Sequence, residues 1–101
     1  MPRRPTDADR ALRDVGRRIA ELRTKAELTQ EQLAARAGIG WKYQQQIELG
    51  YENLTLKTLV KYANLLGVTL ADLMQPPEAR AVRPGRPPRP SKANSTQSRR
   101  R

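Results

Sequence analysis

The stretch from Thr29 to Gly50 leaves few folds open to this chain. Thr29-Gln30-Glu31-Gln32 has the spacing of a capping box, with threonine at the N-cap and glutamine at the third helical position. Gly38 then stops that helix early, and after Gly38-Ile39-Gly40 a second short segment runs from Trp41 to Leu49 and ends at Gly50. Helices this brief are not stable alone, so each must lean on the other and on a longer neighbour. Leu33, Ala34 and Ala37 face inward from the first. Ala34 is small where the second helix crosses, Gly38 supplies a turn conformation that a side chain opposes, and Ile39 and Ile47 plug the pair onto the core.

The longer neighbour precedes them. From about Asp7 to Lys25, Leu12, Val15, Ile19, Leu22 and Ala26 recur at three- and four-residue steps, with Thr6 or Asp7 as cap. After a loop at Tyr51–Leu54, Thr55 caps a helix that carries Leu56, Leu59, Val60, Ala63 and Leu66 along one face and stops at Gly67. Thr69 with Asp72 caps a last helix bearing Leu70, Leu73 and Met74, and Pro76-Pro77 ends regular structure. The pattern predicts an all-α fold of five helices and no strands: a flexible arm over residues 1–5, one domain over 6–75, and a disordered Arg/Pro-rich tail over 76–101.

Composition narrows the function. The 101 residues contain neither cysteine nor histidine, so thiolate chemistry, the commonest metal ligands and the commonest general acid–base are all absent. No catalytic set, metal site or cofactor is expected, which argues against an enzyme. The chain has no apolar run long enough for a membrane span and opens with no secretory pattern, so a cytoplasmic protein with no membrane partner is expected. The net charge of +10 is unevenly placed: +7 falls in residues 76–101 and +3 in residues 1–75. That tail seeks polyanions more strongly than the domain does.

Several landmarks then coincide: Arg18-Ile19 with Leu22-Arg23, Leu28-Thr29-Gln30 with Leu33-Ala34, Ala37-Gly38, Ile47-Glu48 with Gly50, and Leu66-Gly67-Val68. Together they make Val15–Met74 resemble the Cro/C1-type (XRE) helix-turn-helix regulators of bacteria and phages. The resemblance implies a compact lambda-repressor-like domain that binds double-stranded operator DNA as a homodimer, with the recognition helix over about 40–49 in the major groove. Carried over by position, Trp41, Lys42, Gln45 and Gln46 are the base-contacting residues, and Gln30, Gly40, Tyr43 and Asn53 the backbone-contacting ones. Arg23 and Glu48 correspond to the family's structural ion pair. The dimer contact implied is the Tyr51–Leu54 loop with the last helix, and association with the nucleoid follows from the same resemblance. The resemblance also implies a repressor.

Two residues depart from that pattern. Gln44 stands where the family places an aliphatic residue facing the core. Either its amide finds a partner or the surface, or the recognition helix rotates slightly and its groove-facing set shifts. Gly40 replaces a Ser or Thr cap. Trp41 is either a core residue or a groove-facing one, and Gln44-Gln45-Gln46 alone would read as a solvated face. In the tail, Arg83, Gly85, Arg86, Pro87 and Arg89 resemble an AT-hook, an extended segment for the A·T minor groove; a generic phosphate-seeking tail is the other reading. A rival function for the whole chain is a protein-interaction module, an antitoxin that binds a partner protein and regulates its own expression.

Overall fold

The computed structural model describes residues 7–78. Residues 1–6, which include the arm, and the AT-hook-like tail residues Arg83, Gly85, Arg86, Pro87 and Arg89 lie outside them.

Asp7 supplies the first cap: its carboxylate accepts from the N–H groups of Asp9 and Arg10 at 3.0 and 3.4 Å, and helix α1 (Ala8–Lys25) starts there. The chain leaves α1 through Glu27, which has φ +61°, while the N–H of Leu28 closes back on the Arg23 carbonyl at 3.1 Å. Helix α2 (Gln30–Ala37) opens with both bonds of the expected capping box, Thr29 Oγ1 accepting from Gln32 N–H and Gln32 Oε1 from Thr29 N–H. It stops at Gly38, whose φ of +76° lies in the left-handed region that glycine adopts without strain. Helix α3 (Trp41–Leu49) follows, then α4 (Leu56–Leu66) capped by Thr55, and α5 (Leu70–Leu73) in a Thr69–Asp72 capping box. Among the described residues there are no strands.

The core draws on every helix. Ile19, Leu22, Leu33, Ala37, Ile47, Tyr62, Ala63 and Leu73 form one buried cluster, with Val15, Leu28, Ile39, Leu54, Leu59, Leu66, Val68 and Leu70 packed around it. Helix α3 is sandwiched between α1 and α2, while α4 and α5 close the far side. The α1–α3 crossing is close because of Gly16: a Cβ there would sit 2.4 Å from the Ile47 carbonyl oxygen and 2.7 Å from that of Glu48. Only a residue without a side chain lets the two backbones approach so nearly.

Four positions expected inward are instead exposed. Ala26 lies past the last turn of α1, at its C-cap. Leu56 (65% exposed) is the first residue of α4, and Val60 (40%) lies at the edge of the face that Leu59, Tyr62, Ala63 and Leu66 turn to the core. Tyr62 can lie on that face because its hydroxyl finds a buried partner, as described below. Met74 follows the last turn of α5 and is half exposed. At the end of the described residues, Pro77 is buried and the N–H of Glu78 donates to Glu21 Oε1 at 3.0 Å.

Candidate nucleic-acid interface

The two faces of α3 differ sharply. Trp41, Lys42 and Leu49 are exposed and Gln45 and Gln46 partly so, a set that shares one side of a 3.6-residue helix. Gln44 and Ile47 are buried on the other side. Trp41 is 45% exposed, which decides between its two readings: it is not a core residue. Tyr43 flanks the outward set at 42% exposed, and Asn53 is exposed in the loop after α3. At the start of α3, Gly40 caps the helix with no side-chain hydrogen bond, and nothing lies within 4 Å of where its Cβ would be. The first-turn N–H groups of α3 therefore face outward without a capping side chain.

Gln44 is fully buried, and its amide is satisfied at both ends. The Tyr62 hydroxyl donates to Gln44 Oε1 at 2.5 Å, and Gln44 Nε2 donates to Glu48 Oε2 at 2.8 Å. Of the alternatives open for this residue, the amide that reaches a partner is the one observed.

Glu48 gathers the remaining bonds. Arg23 Nε and Nη2 donate to its two oxygens at 2.8 and 3.1 Å, and Gln30 Nε2 donates to Oε1 at 2.9 Å. Arg23 also donates through Nη1 to the Leu28 carbonyl at 2.9 Å. The carboxylate, only 6% exposed, thus accepts from four donors, two of them from a guanidinium in the strong paired geometry. One polar relay, Arg23 and Gln30 to Glu48 to Gln44 to Tyr62, joins α1, α2, α3 and α4. It holds the inward face of α3 from both sides and so fixes which residues face out. Burial first, then the neighbouring Glu48 charge and Tyr43, push the Tyr62 hydroxyl up to about 12.

For Gln30 the relay has a further effect. One hydrogen of its Nε2 is committed to Glu48, which aims the amide and leaves the second hydrogen free at the start of α2. An amide so oriented beside helix N–H groups can hold a phosphate oxygen. The residues expected at the interface therefore fall into two sets. Gln30, Gln45, Gln46, Lys42 and Trp41 gather along α2 and α3, while Arg23 and Glu48 lie behind them. Tyr62 was not singled out in the sequence; the available signal was the amide at a core position, which requires a buried polar partner. Among the described residues no group of three or more Asp, Glu, His or Cys could hold a metal, and no helix is long and apolar enough to cross a membrane.

Comparisons with known proteins place the fold in a family. The Helix-turn-helix family model matches residues 19–73. The HTH-type transcriptional regulator y4dJ of Sinorhizobium fredii is 40% identical over 62 residues, which cover 61% of this chain and 80% of that protein. The crystal structure of the restriction-modification controller protein C.AhdI from Aeromonas hydrophila superposes with a TM-score of 0.62 at 34% identity, covering 67% of this chain and 99% of that one. The master regulator for biofilm formation SinR, solved in complex with DNA, gives a TM-score of 0.55 at 27% identity over 60% of this chain and 98% of its own.

Proposed function

Because the chain belongs to the Helix-turn-helix family, in its Cro/C1 (XRE) type, we propose that this DNA-binding transcriptional regulator reads a double-stranded operator with the outward face of α3. Lys42 donates to guanine O6 and N7, Gln46 makes the paired contact to adenine, and Trp41 and Gln45 border them. Gln30, the N-terminus of α3 at Gly40, Tyr43 and Asn53 hold phosphates on either side. The observation that carries this reading is the division of α3, whose inner face is locked by Gln44, Ile47 and Glu48 while its outer polar face is left open.

Two copies bind about one turn of DNA apart. The exposure of the apolar Tyr51, in the α3–α4 loop, and Met74, after α5, supports that loop and the last helix as the dimer contact. The basic residues beyond Glu78 add phosphate or minor-groove affinity, and the protein works in the cytoplasm on the nucleoid. The interaction-module reading is not favoured, since the relatives above are named as regulators.

Selection of bound sequences from random duplex DNA tests the assignment. Lys42→Ala and Gln46→Ala should relax the selected consensus, whereas Gln30→Ala should weaken binding evenly across sequences. An unchanged consensus and affinity in all three would reject the placement of α3 in the groove. Truncation after Glu78 should weaken binding and flatten its salt dependence.

A further inference from the structure

Helix α1 carries two adjacent arginines with different fates. Arg18 fastens α1 to α5: its Nε donates to the Asp72 carbonyl at 2.9 Å, and its Nη1 lies 3.8 Å from Glu21. Arg17 points the other way, is exposed, and makes no hydrogen bond or ion pair among the described residues. It lines an open depression of about 300 Å³ together with Ala20, Gln30, Gln45, Glu48 and Leu49. The Glu48 carboxylate in that wall is already neutralised by Arg23 and saturated by four donors. Arg17 is therefore the uncompensated charge of the depression, and its neighbours Gln30 and Gln45 are the amide donors assigned above to DNA.

We propose that Arg17, on α1, binds a phosphodiester of the DNA backbone in this depression, adding a third helix to the DNA-binding surface. The proposal rests on the groove placement of α3. A guanidinium matches the paired oxygens of a phosphodiester, and Gln30, already assigned to the backbone, supplies a further N–H donor to the same anion. The contact lies beside Gln45 and Leu49, toward the C-terminal half of α3 and away from Trp41 and Lys42. It strengthens binding to any sequence and leaves the choice of sequence to α3.

The test measures affinity of the full chain for a random-sequence duplex pool by fluorescence anisotropy, between about 50 and 200 mM salt. Arg17→Gln should lower the slope of log K against log salt by about 0.9, one phosphate contact, so the wild-type advantage shrinks about 3.5-fold across that range. Arg17→Lys should restore most of the slope. Lys25→Gln removes the same charge from a lysine that sits 3.7 Å from Glu78 and does not line the depression, and should keep the wild-type slope. The consensus selected by Arg17→Gln should match the wild type. Equal slopes for Arg17→Gln and Lys25→Gln, with normal wild-type binding, would overturn this proposal alone. A wild-type chain that binds no duplex would overturn the groove placement with it.

Discussion

Breaking the Tyr62–Gln44 contact tests whether the inward face of α3 is held by a buried polar relay. Tyr62→Phe removes the donor at 2.5 Å and strands Gln44 Oε1 at a fully buried position, which costs about 1–3 kcal/mol. Gln44→Leu strands the Tyr62 hydroxyl and removes one of the four donors to Glu48, at a comparable cost of about 1–3 kcal/mol. In the double variant neither group is left unpaired, because an aliphatic side chain now faces a phenyl ring. Its destabilisation should therefore fall below the sum of the singles by at least about 1 kcal/mol. Urea unfolding of the four proteins at neutral pH measures this coupling directly. In a domain of this size, about 1 kcal/mol also appears as a shift of roughly 4–8 °C in Tm. Additivity within about 0.5 kcal/mol, or a Tyr62→Phe chain as stable as the wild type, would refute the reasoning.

Three further outcomes follow from the geometry. The Tyr62 hydroxyl, pushed up to about 12 in the folded state, is neutral in both states below pH 10, so its contribution is complete there. Between pH 10 and 12 the unfolded chain ionises first, and stability should fall by about 1.4 kcal/mol per pH unit, a part of the alkaline slope that Tyr62→Phe should lack when the two chains are unfolded in urea at each pH. Gly16→Ala should destabilise by about 1–3 kcal/mol despite the better helix propensity of alanine, because a Cβ at 2.4 Å from the Ile47 carbonyl oxygen forces α3 away; thermal unfolding that leaves Tm unchanged would contradict this. Glu27→Gly should stabilise by up to about 1 kcal/mol by relieving the left-handed backbone at the α1–α2 turn, seen as a higher urea midpoint at constant m-value.

The helices were legible because their ends are local. Thr29, Thr55 and Thr69 cap α2, α4 and α5, and Gly38, Gly50 and Gly67 end α2, α3 and α4 with positive φ. Each of these signals lies within a few residues of the boundary it sets. The outward set on α3 is what the family resemblance implies by position, and Gln44 left a rotated set open until its amide was seen to find buried partners. What escaped depends on contacts distant in sequence. Tyr62 is separated from Gln44 by 18 positions, and nothing near Tyr62 announces that it will meet an amide. Gly16 reads only as a weak spot in a helix until the path of α3 shows two carbonyls beside it. Leu56, Val60 and Met74 are apolar at plausible spacing, but periodicity shows neither where a helix end projects past the core, as at Leu56 and Met74, nor where the edge of the buried face falls, as at Val60. The ion pair of Arg23 with Glu48 was expected from the family resemblance; its extension to Gln30, Gln44 and Tyr62 became visible only in three dimensions.

Residue-resolved NMR shifts of backbone and side-chain amides on titration with the selected duplex test the central claim most directly. The account predicts the largest changes at Gln30, at the first turn of α3 from Trp41 to Tyr43, at the side-chain amides of Gln45 and Gln46, and at Asn53. The buried amide of Gln44 should move little. Changes concentrated on α4 and α5, with α3 left unperturbed, would contradict the claim that the outward face of α3 reads DNA.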